Sequence, residues 1–167
     1  AVVKHFPGHG DTRTDSHRAL PVVSMGEVEL QSRPLVPFKV ALESGAEAVM
    51  TAHVLYDGVD PEWPATMSDR IIGRILRDQL GFEGLVISDA IEMEALVGRY
   101  SIESVLRRSF SAGVDLILVG GRYDVRDLID MVEQMVDRGD LDASVIERAA
   151  LRVLKTKGAY GLLPEAP

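Results

Sequence analysis

The sequence of 167 residues contains no cysteine, few aromatic residues and no long apolar run. Without cysteine, the chain forms no disulfide and offers no thiol nucleophile, and its redox compartment is left open. No apolar stretch approaches the roughly 20 residues needed to cross a bilayer, so we expect no membrane span. Lysines and arginines are scattered among more numerous acidic residues, and the formal net charge is −8. Because nucleic-acid-binding proteins usually carry a basic patch, we expect no nucleic-acid partner.

The remaining composition is typical of a globular chain, with 46% hydrophobic and 26% charged residues. It suits a single core, and because no repeat or low-complexity linker divides the chain, we treat residues 1–167 as one partial domain. The chain opens AVVKHF, without an initiator methionine or a basic leader. We therefore expect a fragment of a longer protein. We expect a cytoplasmic location, or an exported protein or lipoprotein if a signal precedes Ala1.

Four short apolar runs rich in β-branched residues alternate with longer helical periods. Near-continuous apolar runs without strict alternation are typical of strands buried on both faces, as in parallel sheets. The predicted strands are Ala1–Val3, Ala48–Thr51, Leu85–Ile87 and Leu116–Val119.

Five helices with recognisable ends separate or follow these strands. They are Pro34–Glu43, Asp69–Leu80 capped by Ser68, Ile102–Ala112 capped by Ser101 and ended by Gly113, Val125–Arg138 ended by Gly139, and a last helix through Thr156 that begins with a capping box of Ser144 and Glu147. Strand followed by helix, four times over, predicts parallel pairing and an α/β fold, either an open sheet or a barrel. No G-x-G-x-x-G follows a strand, so a dinucleotide-binding open sheet loses support, and we expect no cofactor.

Polar side chains follow three of the predicted strands at the point where each strand ends. Lys4 and His5 follow the first strand. His53 follows the second and Asp89 the third. Each alone has a plain structural explanation, as a solvated strand end, a packed histidine or a helix cap. In a barrel, however, the carboxyl ends of the strands form the active face, so the four together predict a site.

The loop Pro7–His17 (PGHGDTRTDSH) is long, polar and rich in glycine, which is typical of a mobile active-site loop. Within it, Asp15 lies two residues before His17. A carboxylate bonded to one imidazole nitrogen fixes the tautomer and raises the basicity of the other, giving a proton donor and acceptor near neutral pH. The plainer alternative is an Asx-turn beside a surface histidine.

A metal site is the third alternative for this region, because His5 and His9 have the H-x3-H spacing of some zinc ligands. That spacing serves a metal when both histidines lie on one helix face. Pro7, Gly8 and Gly10 make a helix improbable here, so we expect no metal ion.

Five strings along the chain form a recognisable set. They are KHFPGHG at Lys4–Gly10, DSH at Asp15–His17, MTAH at Met50–His53, PATMS at Pro64–Ser68 and GLVISDAIEM at Gly84–Met93. Together they resemble the bacterial β-N-acetylglucosaminidases of glycoside hydrolase family three. The resemblance runs from about Val3 to Gly161 and is most specific in the loop. The Asp-Ser-His string separates these enzymes from the β-glucosidases of the same family.

The resemblance implies a (β/α)8 barrel of which this chain supplies the C-terminal half, strands five to eight. It implies a retaining glycosidase in which Asp89 is the nucleophile. His17, oriented by Asp15, would be the acid/base. Lys4 and His5 would hydrogen-bond sugar hydroxyls. His53 and Met93, in the other matching strings, are also expected to contact the substrate.

The expected substrate is a β-N-acetylglucosaminide, from bacterial cell wall or a chitin-like saccharide. Two alternatives stay open: a β-glucosidase-type exo-hydrolase, and a non-catalytic sugar-binding half-barrel. A neutral imidazole near the nucleophile would not repel an anionic acceptor, so phosphate could replace water.

The chain is too short for a complete barrel, which needs about 250 residues. A half-barrel exposes two sheet edges and a broad apolar face. We therefore expect the isolated chain to be poorly active, and to be unstable or associated with an N-terminal half-barrel or a second copy of itself.

Overall fold

The computed structural model describes residues 1–163 and contains six strands among seven helices. The strands are β1 (Val2–Phe6), β2 (Val22–Gly26), β3 (Ala48–Thr51), β4 (Leu55–Gly58), β5 (Leu85–Ala90) and β6 (Leu116–Leu118). The helices are α1 (Glu27–Ser32), α2 (Val36–Glu43), a π-helix (Arg70–Gln79), α3 (Glu94–Val97), α4 (Ile102–Ala112), α5 (Val125–Asp137) and α6 (Ala143–Ala159). A single 3-10 turn (Ala65–Met67) precedes the π-helix.

Four strands form one parallel sheet in the order β1-β3-β5-β6. Val49 in the middle of β3 pairs with Val3 on one side and Val86 on the other. Each connection between neighbouring strands contains a helix, as parallel pairing requires. The structure thus confirms the predicted α/β class and its four strand–helix units.

One face of the sheet is covered by α2 and the π-helix. The rings of Phe6 and Phe38 meet edge to face with centroids 5.2 Å apart, joining β1 to α2. Val49, Ile75 and Val86 belong to the same buried cluster. A second cluster lies among the 3-10 turn, α3, α4 and α5, and it includes Met67, Leu96, Leu106, Leu128 and Met135.

The opposite face of the sheet is covered only in part by the described residues. Successive strand residues point to opposite faces, and on β6 Leu116 and Leu118 are 38% and 41% exposed while Ile117 between them packs against the core. At the other edge, Val2 of β1 is 47% exposed. This is the apolar face that the sequence predicts for a half-barrel.

Several element ends differ from the prediction. The first strand continues past Val3 to Phe6, because Phe6 still pairs with Thr51 and the polar Lys4 and His5 lie within the strand. The sequence reading also missed β2 and β4, which form a separate two-stranded parallel sheet, and the short helices α1 and α3.

The helix caps are confirmed in two cases and wrong in one. Ser101 caps α4 by accepting a hydrogen bond from the backbone of Ser104, and Ser68 accepts one from Ile71 at the start of the π-helix. The capping box predicted at Ser144 is wrong. The N-cap of α6 is Asp142, whose carboxylate accepts from the Ser144 backbone N–H.

Among the described residues, no helix combines the length and apolar character that a membrane crossing demands.

Candidate active site

Asp89 lies at the carboxyl end of β5, where the strand is irregular. The pairing of β5 with β6 shifts register between Ile87 and Ala90, so Asp89 lies in a bulge. Such bulges re-aim side chains at active sites. The Oδ1 atom of Asp89 accepts a hydrogen bond of 2.8 Å from the N–H of Ala90. The side chain is 20% exposed, so its other oxygen remains open to a ligand.

His5 approaches that other oxygen from β1. Its Nε2 lies 3.6 Å from Oδ2 of Asp89, which is too long for a hydrogen bond but close enough for the carboxylate to influence the pKa of the ring. Partial burial lowers the pKa of His5; the Asp89 carboxylate opposes this, while Lys4 and His9 add to it. The ring is therefore neutral near pH 7, and it can donate and accept hydrogen bonds as sugar recognition requires.

The glycine-rich loop Pro7–His17 is held by its own side chains. His9 binds two of them, with Nε2 3.2 Å from Ser16 Oγ and Nδ1 2.9 Å from Thr12 Oγ1. The His9 ring lies edge to face with the His5 ring, centroids 5.9 Å apart. Farther out, Arg33 donates a 2.7 Å hydrogen bond to Asp11. The loop is thus folded over the end of β1.

Asp15 and His17 form the pair that the sequence predicts. Nδ1 of His17 lies 2.9 Å from Oδ1 of Asp15, and the His17 backbone N–H donates to the same oxygen. A carboxylate only accepts, so Nδ1 carries a hydrogen and Nε2 is left for proton exchange. These bonds, the backbone one foremost, hold the pKa of Asp15 below its usual value. The Asx-turn alternative is therefore present, and the same contacts are compatible with the predicted acid/base pair.

The tip of the loop is attached to α3, the helix that follows β5 and Asp89. The carbonyl of Ser16 accepts a 3.1 Å hydrogen bond from the N–H of Ala95, in the first turn of α3. Since α3 follows β5 after a short turn, His17 lies at the same end of the sheet as Asp89. Its side chain is 75% exposed there.

His53 and Met93 lie beneath this surface. His53 is buried, with Nδ1 2.8 Å from Thr66 Oγ1 and Nε2 3.0 Å from the carbonyl of Ala90. A carbonyl only accepts, so Nε2 donates to Ala90, and both ring nitrogens are used within the chain. Burial lowers the pKa of His53. Met93 is largely buried at the N-terminus of α3, and its N–H donates to Ala90.

The structure therefore gathers Lys4, His5 and Asp89 at the strand ends and the Asp15–His17 pair on the loop beside them. The sequence reading gave no role to His9, although it lies inside the Lys4–Gly10 motif. Within residues 1–163, no three His, Asp or Glu side chains come close enough together to share a metal ion.

Comparison with known proteins gives a consistent result. The family pattern "Glycosyl hydrolase family 3 N terminal domain" matches residues 1–156. The β-hexosaminidase of Neisseria gonorrhoeae (strain NCCP11945) is 38% identical over 162 residues, which are 93% of this chain and 45% of that protein. The β-hexosaminidase of Stenotrophomonas maltophilia (strain R551-3) is 43% identical over 161 residues, 96% of this chain and 45% of that protein.

Solved structures agree. A glycoside hydrolase family 3 β-N-acetylglucosaminidase from Paenibacillus sp. str. FPU-7 matches 99% of this chain and 32% of its own, with TM-score 0.92 and 40% identity. The β-N-acetylglucosaminidase from Thermotoga maritima matches 92% of this chain and 34% of its own, with TM-score 0.85 and 37% identity. The predicted partial TIM-type barrel is thereby confirmed. The chain spans about half the length of the curated relatives it matches.

Proposed function

The chain belongs to glycosyl hydrolase family 3, and on that basis we propose that the complete protein is a retaining β-N-acetylhexosaminidase acting on terminal β-linked N-acetylglucosamine. One observation carries the proposal. A carboxylate with an open oxygen, Asp89, and a carboxylate-paired imidazole, His17, lie at the same end of one sheet on separate elements. Retaining hydrolysis needs a nucleophile and a separate proton donor on either side of the scissile bond.

The proposed reaction has two steps. In the first, Oδ2 of Asp89 attacks the anomeric carbon, and His17 in its protonated form gives the Nε2 proton to the departing glycosidic oxygen. In the second, water attacks the anomeric carbon, the bond to Asp89 breaks, and the proton of the water returns to His17. Asp15 stabilises the imidazolium and keeps Nε2 as the reacting nitrogen.

Recognition of the sugar is assigned to the strand ends and to the turn after β5. Lys4 and His5 are proposed to bond sugar hydroxyls, and the neutral ring of His5 suits that role. Met93 is proposed as a further contact at the start of α3. His53 acts indirectly, because its Nε2 holds the carbonyl of Ala90 next to Asp89.

We further propose that a second half-barrel completes the sugar site. The known relatives are about twice as long as this chain. The sheet also leaves Val2, Leu116 and Leu118 exposed on its inner face. An N-terminal half-barrel, or a second copy of the chain, would cover that face and add sugar contacts. The proposed substrates are cell-wall-derived or chitin-like saccharides.

The test is a pair of chromogenic substrates given to the complete protein. Release of p-nitrophenol from the β-N-acetylglucosaminide but not from the β-glucoside is expected. The first product, observed by NMR within seconds, should be the β-anomer. A 5-fluoro glycosyl fluoride should add the mass of one sugar to the peptide that contains Asp89. An α-anomer, or label on another residue, would contradict the mechanism.

The same assay separates the alternatives. Cleavage of the β-glucoside at a similar rate indicates a β-glucosidase-type enzyme. Sugar binding without cleavage of either substrate indicates a binding module. Phosphate as acceptor is tested by running the reaction in phosphate buffer, where N-acetylglucosamine 1-phosphate should form; its absence leaves water as the acceptor.

A further inference from the structure

The β5 end that carries Asp89 is weakly supported by the sheet alone. Its neighbour β6 has only three residues and is an edge strand within residues 1–163. The Ser88 hydroxyl, not a backbone carbonyl, accepts from the N–H of Leu118, and the Ile91 N–H donates to the Leu118 carbonyl. Asp89 lies between these two attachments. The pairing of β5 with β6 ends one residue later, at Ala90 and Leu118.

A carboxylate continues the attachment beyond the last strand pair. Glu92, three residues after Asp89, reaches across to the loop that follows β6. One of its oxygens accepts from the N–H of Gly120, and the other accepts a 2.6 Å bond from the N–H of Arg122. We call this loop segment, residues 120–123, the backbone pocket.

The electrostatics of the pocket favour an anion. Partial desolvation disfavours the charged form of Glu92, but the N–H groups of Gly120, Arg122, Gly121 and Tyr123 outweigh it, so the pKa of Glu92 is lowered. Successive backbone N–H groups pointing into one concavity bind anions in many proteins. The charge of Glu92 is therefore satisfied by backbone dipoles.

Gly120 has no Cβ atom, which allows the Glu92 carboxylate to approach the loop closely. A Cβ atom built on Gly120 would come within 2.7 Å of Oε2 of Glu92. Any larger residue would push the carboxylate out of the pocket. The glycine pair that follows β6 thus serves the close approach of a side chain within the same chain.

We infer that Glu92 is a positioning residue for Asp89: its carboxylate acts as an internal anion in the backbone pocket and locks the bulged end of β5 to the loop after β6. The inference rests on the proposed function, since it assigns Glu92 to the support of the proposed nucleophile. Glu92 itself does not touch the reacting atoms.

The direct test is Glu92→Ala in the complete protein. The carboxyl end of β5 would lose its attachment to the loop after β6, and kcat is expected to fall by about tenfold to 100-fold with little change in KM, since a small misplacement of a reacting group has effects of this size. Sodium formate should restore part of kcat, because it supplies the missing carboxylate. Sodium chloride at equal ionic strength should not.

Glu94→Ala is the matched control. Glu94 is an exposed carboxylate two residues away whose nearest cation is Arg122, at 4.0 Å. Its loss should leave kcat within about twofold and unaffected by formate, as for other exposed ion pairs. If Glu92→Ala behaves like Glu94→Ala, or loses activity that formate does not restore, the inference is wrong. Should Glu92→Ala fail to fold, Glu92→Gln serves instead, since it keeps the size but places a donor against backbone donors.

A double-mutant cycle with Gly120→Ala tests the same pocket without formate. Gly120→Ala should lower kcat in the native background by displacing Glu92, and should cost little more once Glu92 is already Ala. Equal costs in both backgrounds would overturn the inference.

The two claims fail in different ways. A complete protein that cleaves no β-N-acetylhexosaminide contradicts the proposed function. Thermal unfolding then tests whether the backbone pocket binds an anion. Formate should raise the unfolding midpoint of Glu92→Ala but not that of the native protein. A midpoint insensitive to formate would show that no anion is held there.

Discussion

Asp11 and Asp15 are two carboxylates on one loop that bind different side chains. Asp11 binds the exposed Arg33, whereas Asp15 binds the ring and the backbone N–H of His17. Asp15→Asn should keep the turn, because an amide oxygen also accepts, but it removes the charge that stabilises the imidazolium. We expect kcat for the chromogenic N-acetylglucosaminide to fall on the order of 10²-fold or more.

Asp11→Asn is the matched control for that variant. It removes the same charge from the same loop but leaves His17 untouched, so initial rates should stay close to native. A similar loss of initial rate in the two variants would mean that Asp15 supports the fold of the loop and not the proton transfer.

The lowered pKa of His53 predicts how the free energy of unfolding changes with pH. Its pKa in the folded chain is lowered below 6.5 by burial, so its neutral form stabilises the fold above about pH 6.5 and this stability is lost as pH falls through the lowered pKa. Urea unfolding should show a free energy that declines from pH 6.5 to pH 5. One such histidine contributes at most about 1.4 kcal/mol per pH unit.

The variant His53→Asn should flatten this decline in part, leaving the share of His5, whose pKa is also lowered. An unchanged slope in His53→Asn would show that His53 does not titrate differently on folding.

At the residue scale, the sequence predicted the groups but not their contacts. The Asp15–His17 pair was predictable because its members are two residues apart and local geometry brings them together. The burial of His53 was not, since it depends on Thr66 and Ala90, which are distant in sequence. Glu92 gave no signal, because its partners lie 28 and 30 residues away in a loop.

The start of α6 offers a test at the scale of one element. Asp142 accepts from the N–H of Ser144, while the hydroxyl of Ser144 only accepts from Arg148 on the helix surface. Asp142→Ala should therefore lower the thermal midpoint by roughly 2–4 °C, the usual effect of losing a cap in a chain of this size. Ser144→Ala should change it much less. If Ser144→Ala lowered the midpoint more than Asp142→Ala did, the result would support the capping box predicted from the sequence.

The missed strands have a physical explanation. The search for strands used near-continuous apolar runs, which indicate burial on both faces. The strand β2 instead alternates, with Val23 and Met25 buried and Val22 and Ser24 exposed, because it is covered on one face only. Its partner β4 is four residues long and includes Asp57 and Gly58, so it carries little pattern of its own.

On the scale of the whole molecule, the partly covered sheet face dominates the expected behaviour of the isolated chain. Exposed Leu116 and Leu118 should drive self-association, measurable by sedimentation velocity. Replacing both by Glu should shift the chain toward monomer. Val28→Glu is the control, because Val28 is 85% exposed but lies on α1, outside the sheet. A monodisperse native monomer with normal turnover would contradict the expectation that the isolated chain is poorly active and self-associates.

The solvent exposure of the His17 side chain has a consequence for how its protonation state would be reset after each catalytic cycle. A ring that is three-quarters exposed can exchange protons directly with the solvent and with dissolved buffer. No relay of interior groups is then required to reset it. Among buffers that do not serve as acceptors for the sugar, the identity of the buffer should therefore not change the rate.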